Sequence, residues 1–212
     1  ADDRASCERL ADSAKHSALH ALEFIRKHQS QENSDRLFSV YKDGKARLNA
    51  YLDDYAFMAM GALNLSRFSK TIAESTALLG LAKRWVDVVN KHFRDPSHLG
   101  FYFTSDDHEA LLCRPHTLFD QAIPSGTATQ LHVMTVIAEN FSEEPYFVEL
   151  TEQIHKLFAL VEQAPNAMGE LANATLLYFI SPILVSGHHC EQLCINPFIF
   201  PKWTEEETPT QK

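Results

Sequence analysis

Glycine is scarce, with 7 in 212 residues. A protein of many strands joined by tight turns needs more of them, so a turn-rich β architecture is disfavoured. Cysteine is scarcer still. Cys7, Cys113, Cys190 and Cys194 are too few to staple a chain of this size, and a reduced, cytoplasmic protein is expected. No run approaches the roughly 18 apolar residues of a membrane span. The longest, Leu176 to Val185, is interrupted by Pro182, and no membrane association is expected. The first residues, Ala1-Asp2-Asp3-Arg4, contain no signal-peptide core and no initiator methionine, as expected of a trimmed chain or a piece of a longer one. Positive charge is in the minority: 19 Lys and Arg against 28 Asp and Glu leave a net charge of -9. That balance argues against binding to nucleic acid or to anionic membranes.

What is present is helical periodicity. The spacing predicts helices over about 6–28, 51–68, 71–93, 126–141, 143–161 and 168–180. They alternate in character. In the first, Leu10, Ala14, Ala18, Leu22 and Ile25 form one face against Arg9, Asp12, Lys15, Glu23 and Arg26. The third and fifth are amphipathic in the same way. The second has no charge between Asp54 and Arg67, the fourth none before Glu139, and the sixth none after Glu170. A helix without a charged face is a buried one. The order outer, inner, outer, inner, outer, inner describes helical hairpins set side by side, as in a partial α/α toroid. One helical domain over 1–203 is expected, followed by a disordered tail over 204–212.

Two links are long, of about 20 residues after the first helix and about 30 after the third, and long loops in a compact domain are more often functional than accidental. In an up-down array both emerge on the same side and lead into the N-termini of inner helices, which points to one working face. Within the third link, Gly100 to Thr104 and Leu111 to Cys113, separated by polar residues, read as a β-hairpin. Ile183 to Gly187 reads as a short strand.

The candidate site residues lie at these entries. Asp53-Asp54-Tyr55 opens the second helix; the two carboxylates suit the helix dipole, either as plain N-terminal capping or as site carboxylates with a tyrosine hydroxyl beside them. Arg114, His116, Asp120, Ser125 and Gly126 precede or open the fourth helix. Ser125 is a candidate N-cap, and Gly126 would admit a ligand to the backbone. The alternatives for this group are an Arg–Asp bridge that pins the loop and a polar pocket floor. A Ser/His/Asp hydrolase made of Ser125, His116 and Asp120 lacks the strand–turn–helix context of a nucleophile elbow. His188-His189-Cys190 with Cys194 resembles a metal cluster, but the spacing is not that of a zinc module, so no metal is expected. His16, His20 and His28 read as a surface stripe. Three Asn-x-Ser/Thr triplets, at Asn64, Asn140 and Asn173, read as chance matches.

Several of these segments occur together in one family. Leu52 to Phe57, Gly100-Phe101-Tyr102, Arg114-Pro115 and Asp120 to Gly126, in that order, together with Tyr41 to Lys45, resemble the YyaL-like family of spermatogenesis-associated, thioredoxin-domain-containing proteins. The resemblance is strong over about Leu37 to Leu131. It implies the last part of an (α/α)6 toroid similar to that of N-acylglucosamine 2-epimerase. It also implies a cleft lined by aromatics, carboxylates and histidines for a sugar-like or small polar ligand. On this reading Asp53, Asp54, Tyr55 and His116 are the candidate catalytic groups. Arg114, Asp120, Ser125, Gly126 and Tyr102 are the candidate ligand contacts. The family's thioredoxin-like domain has no counterpart in these residues, and no cofactor is expected. The chain departs from the family pattern at Leu99, where a glycine is usual, at His116, where a lysine is common, and at Thr127, where an asparagine is usual. A partial toroid has two open edges, on the first and sixth helices. They call for a second copy or a missing N-terminal half, and the competing reading is a non-catalytic scaffold or interaction module.

Overall fold

The computed structural model describes residues 2–97, 100–109, 112–141 and 144–181. Among them the chain is mostly helical: α1 (Asp2–His28), α2 (Leu52–Arg67), α3 (Ile72–His92), α4 (Gly126–Phe141), α5 (Glu144–Gln163) and α6 (Gly169–Ile180). A single antiparallel hairpin, β1 (Phe38–Lys42) and β2 (Lys45–Asn49), joins α1 to α2. The expected tail over 204–212, the strand at Ile183 to Gly187 and the His188, His189, Cys190 and Cys194 cluster lie outside the described residues.

The helices start where the chain supplies acceptors for their free N–H groups. Thr71 Oγ1 accepts the Glu74 N–H at 3.1 Å, and the Glu74 carboxylate returns to the Lys70 N–H at 3.1 Å. Ser125 Oγ accepts the Ala128 N–H at 3.1 Å, the N-cap expected of it. At α2 it is Asp54 that accepts the Tyr51 N–H, at 2.9 Å.

Of the three charge-poor helices only α4 is buried almost throughout. The other two, α2 and α6, each keep an exposed side, with Gly61 and Asn64 on the one and Leu176 and Phe179 on the other. The charge-rich helices pack over this layer, with one exception. Almost all of α4 from Gly126 to Ala138 is buried. It lies between α2 and α6, and α3 and α5 cover this layer from outside. Trp85 and Phe93 come from the outer layer, Tyr55, Leu131 and Met134 from the inner one, and all are essentially removed from water. Each such side chain contributes roughly 1.5–3 kcal/mol of burial. The exception is α1. Of its expected apolar face, only Leu22 is buried, and Leu10 remains 72% exposed. Its stripe faces α2 across an open groove rather than a filled core.

The hairpin is not where the sequence placed it. Over 100–113 the described residues form only isolated bridges, Phe101 with Arg94 and Tyr102 with His116. The regular hairpin lies at 38–49 because Asp43 and Gly44 both take positive φ, 53° and 73°. This is the two-residue turn whose twist matches that of paired strands. The hairpin is tied to α2 through Leu37, whose N–H is accepted by Tyr55 Oη at 2.8 Å and whose carbonyl accepts the Ala50 N–H at 3.0 Å.

Candidate functional site

The N-termini of the three inner helices meet at one end of the layer. A Cβ on Gly126 would come within 2.1 Å of Asp53 Oδ1 and 3.1 Å of Leu52 Cγ, so the starts of α2 and α4 touch. The two oxygens of Asp120 accept the Ser125 N–H at 2.8 Å and the Glu170 N–H at 2.9 Å, so the starts of α4 and α6 share one carboxylate. The three helices therefore run in the same direction, and the α3–α4 link folds over their common end. Phe103 anchors that link: its N–H reaches the Pro115 carbonyl at 2.8 Å, and its own carbonyl accepts the Leu52 N–H at 3.0 Å.

The sequence-derived candidates divide into two groups. Tyr55 is fully buried; burial pushes its hydroxyl pKa up, against the Leu37 N–H and the nearby Arg36. A core hydroxyl that receives a backbone N–H cannot reach a ligand, so Tyr55 is withdrawn as a catalytic group. Asp54 is committed to the Tyr51 N–H. Arg114 spends its guanidinium on backbone carbonyls, that of His92 at 3.0 Å and that of Thr104 at 3.1 Å from Nε, which pins the loop. Asp120 and Ser125 hold helix starts. Gly126 lies against the start of α2, with Asp53 in the space where a ligand would have to sit. These six organise the face rather than line a pocket.

The second group keeps groups available for chemistry. Asp53 is half-buried. Burial pushes its carboxyl pKa up, the neighbouring Asp54 adds to this, and the Gly126 backbone N–H offsets part of it. Its Oδ1 is buried and makes no well-aligned hydrogen bond among the described residues, the Gly126 N–H being a nearby donor rather than a formed bond. His116 and Tyr102 adjoin across their bridge, with ring centroids 4.5 Å apart, and the Arg114 guanidinium carbon lies 4.2 Å from the Tyr102 ring centroid, within cation–π range.

Sequence reasoning missed the residue that organises this second group. Asp95 Oδ2 lies 3.0 Å from His116 Nε2, and its side chain is 6% exposed against 27% for the imidazole. Asp95 also accepts the Ser97 N–H at 2.8 Å, the Ser97 hydroxyl at 2.5 Å and the Tyr102 hydroxyl at 3.3 Å. Burial pushes the Asp95 carboxyl up, but the Ser97 bonds and His116 outweigh it and hold the pKa below the usual range. An ionised carboxylate behind one imidazole nitrogen fixes the ring and leaves the other nitrogen to face a ligand. The signal was readable: Asp95-Pro96-Ser97 is an Asp turn, in which the side chain turns back on the backbone.

Two further networks border the site. Arg36 Nη2 donates to Asp107 Oδ1 at 2.7 Å and to Ser105 Oγ at 3.3 Å, and His92 Nδ1 meets Asp106 Oδ1 at 2.8 Å. His92, Asp106 and Asp107 each offer a ligand atom within 4.8 Å of the others. Arg36, however, already neutralises Asp107 and holds its pKa down at about 2, so a cation there would have to displace a guanidinium. On the far side, His132 Nδ1 meets Glu170 Oε1 at 2.8 Å, bridging α4 and α6. No helix among the described residues is long and apolar enough to cross a membrane. The chain matches no protein-family model and no curated protein.

Proposed function

We propose that the common N-terminal end of the inner helices is a binding site for a small polar ligand of the carbohydrate class, with acid–base chemistry of the epimerase or isomerase kind. The observation that carries this reading is the Asp95–His116 pair, a partly exposed imidazole oriented by a buried carboxylate. Moving a proton at a substrate carbon requires a base with its ring held in one tautomer, and a carboxylate partner supplies that. We assign Asp53 as the second polar group of the site: burial and the neighbouring Asp54 push its carboxyl up, whereas the Ser97 bonds and His116 hold that of Asp95 down. Aromatic rings border this end of the layer: Tyr51 stacks on Phe103, with centroids 4.8 Å and planes 12° apart, and on His108, with centroids 5.1 Å and planes 30° apart. Apolar rings beside a few polar groups are the usual lining of a small-ligand site.

The test is ligand screening by thermal shift and calorimetry with mono- and disaccharides. Binding should be lost in His116→Ala and Tyr102→Ala while the fold persists, and Asp53→Asn should spare binding but abolish turnover. Binding that survives both His116→Ala and Tyr102→Ala would refute this site. Asp54 and Arg114 are poor probes of it, because their loss would loosen the loop. The competing reading, a non-catalytic helical module, is favoured by the open α1–α2 groove and by the structural employment of Tyr55, Asp54, Arg114 and Asp120.

A further inference from the structure

Two imidazoles of α1 take no part in the site described above. His16 and His20 are both exposed, and they lie ring to ring, with centroids 4.2 Å apart and planes tilted by 47°. Helix geometry sets this pair, because residues four apart stand one turn above each other on the same face. The rest of α1 decides where that face points. Ala14, Ala18, Leu22 and Ile25 line the groove shared with α2. His16 stands two positions after Ala14, and His20 two after Ala18. At 100° per residue each is turned from them by about 200°, which sets the pair on the side of α1 that faces away from α2.

Two imidazoles placed in this way are a bidentate donor set. Imidazole nitrogen suits zinc, nickel and copper, whereas carboxylate and water suit the harder cations. With Zn–N bonds of ~2.1 Å and a tetrahedral angle, two rings on one ion stand with their centroids about 5 Å apart, so the pair reaches that spacing by an adjustment of about 1 Å. The local charge favours a cation. Asp12 is four positions before His16 and Glu23 three after His20, on the same helical face, and both are exposed. The adjacent Lys15 is held by Glu74 at 3.2 Å. The group of His92, Asp106 and Asp107 differs in that Arg36 already donates to Asp107.

We propose that His16 and His20 chelate one divalent transition-metal ion, Zn2+, Ni2+ or Cu2+, with water in the remaining positions, and that the ion staples one turn of α1. The effect falls on a helix that packing holds weakly, since Leu22 is the one buried residue among its described side chains. An ion that binds only the helical form opposes its local opening. Coordination needs neutral imidazole, so the staple loosens as the solution is acidified.

Nickel is the probe of choice, because soft thiolates select other metals. Calorimetric titration of Ni2+ into the full chain reads the affinity, and amide hydrogen exchange followed by mass spectrometry locates the ion. Ni2+ should slow exchange in the peptides of α1. His16→Gln and His20→Gln should each weaken this binding by about tenfold or more, because the second donor no longer acts within the same molecule. Ser17→His combined with His20→Ser keeps the composition but turns the second imidazole about 100° from the first, and should lose the site as fully. The replaced side chains are exposed, so the circular dichroism spectrum should stay unaltered. The proposal is overturned if Ni2+ leaves exchange in α1 unchanged. It is equally overturned if the rearranged chain binds Ni2+ as tightly as the unaltered one, which would assign the ion to other histidines, such as His188 and His189.

Discussion

Adding one methyl group at Gly126 tests whether α2 and α4 meet as described. The new Cβ would stand 2.1 Å from Asp53 Oδ1 and 3.1 Å from Leu52 Cγ, closer than non-bonded atoms approach, so Asp53 must swing away or α4 must shift. Overpacking of this kind costs about 1–3 kcal/mol, offset by up to ~1 kcal/mol because alanine restricts the unfolded chain more than glycine does. The net expectation for Gly126→Ala is a loss of about 1–2 kcal/mol, which lowers Tm by several degrees, at roughly 2–4 °C per kcal/mol for a chain of this size. In an Asp53→Ala background the 2.1 Å contact vanishes and only the Leu52 contact remains, so the same change should cost ~0–1 kcal/mol. Urea melts of the four proteins give the coupling energy, expected at about 1 kcal/mol. A cost for Gly126→Ala that is the same in both backgrounds would refute the contact.

Two further outcomes follow from neighbouring groups. Tyr55→Phe removes the acceptor of the buried Leu37 N–H and should cost about 1–3 kcal/mol in a urea melt; a change below half of that would mean that water replaces the hydroxyl. Asp107 has its pKa lowered from 3.8 to about 2, first by the hydrogen bond from Arg36. A depressed carboxyl pKa stabilises the fold above the unfolded value and loses that contribution as pH falls through the folded one. Stability should therefore decline between about pH 4 and pH 2, and Asp107→Asn should flatten that part of the profile. An unchanged slope would remove Asp107 as its source.

The helices were legible because charge does the sorting. Asp54 to Arg67 and Gly126 to Glu139 carry no charged side chain between their ends; the second segment became the buried α4 and the first became α2, which buries one side and leaves Gly61 and Asn64 exposed. The meeting of both long links at the inner-helix starts was legible too, since it follows from direction alone. The hairpin was misplaced because aromatic, strand-like residues at Phe101 to Phe103 carried more weight than turn chemistry, whereas Asp43-Gly44 held the stronger signal. The roles of single polar residues were not legible. Asp54 and Asp53 are adjacent and chemically identical, yet one faces its own helix start and the other faces α4. Asp95 escaped notice because its partner His116 lies on another part of the loop, and no local periodicity connects them. The loose seating of α1 was equally hidden, since an apolar stripe reports a tendency to bury and not whether anything is there to bury it.

Asp120 has a mechanical consequence. A single rigid carboxylate grips the first turns of two helices that are far apart in the chain, so α4 and α6 cannot tilt independently unless one grip is released. Any displacement of the loop that carries Asp120 is transmitted to both in the same sense, as a yoke moves two shafts. The end of the layer that holds the candidate site then reshapes by movement of the overlying link, with Asp95 and His116 on it, while the helix starts beneath stay in register.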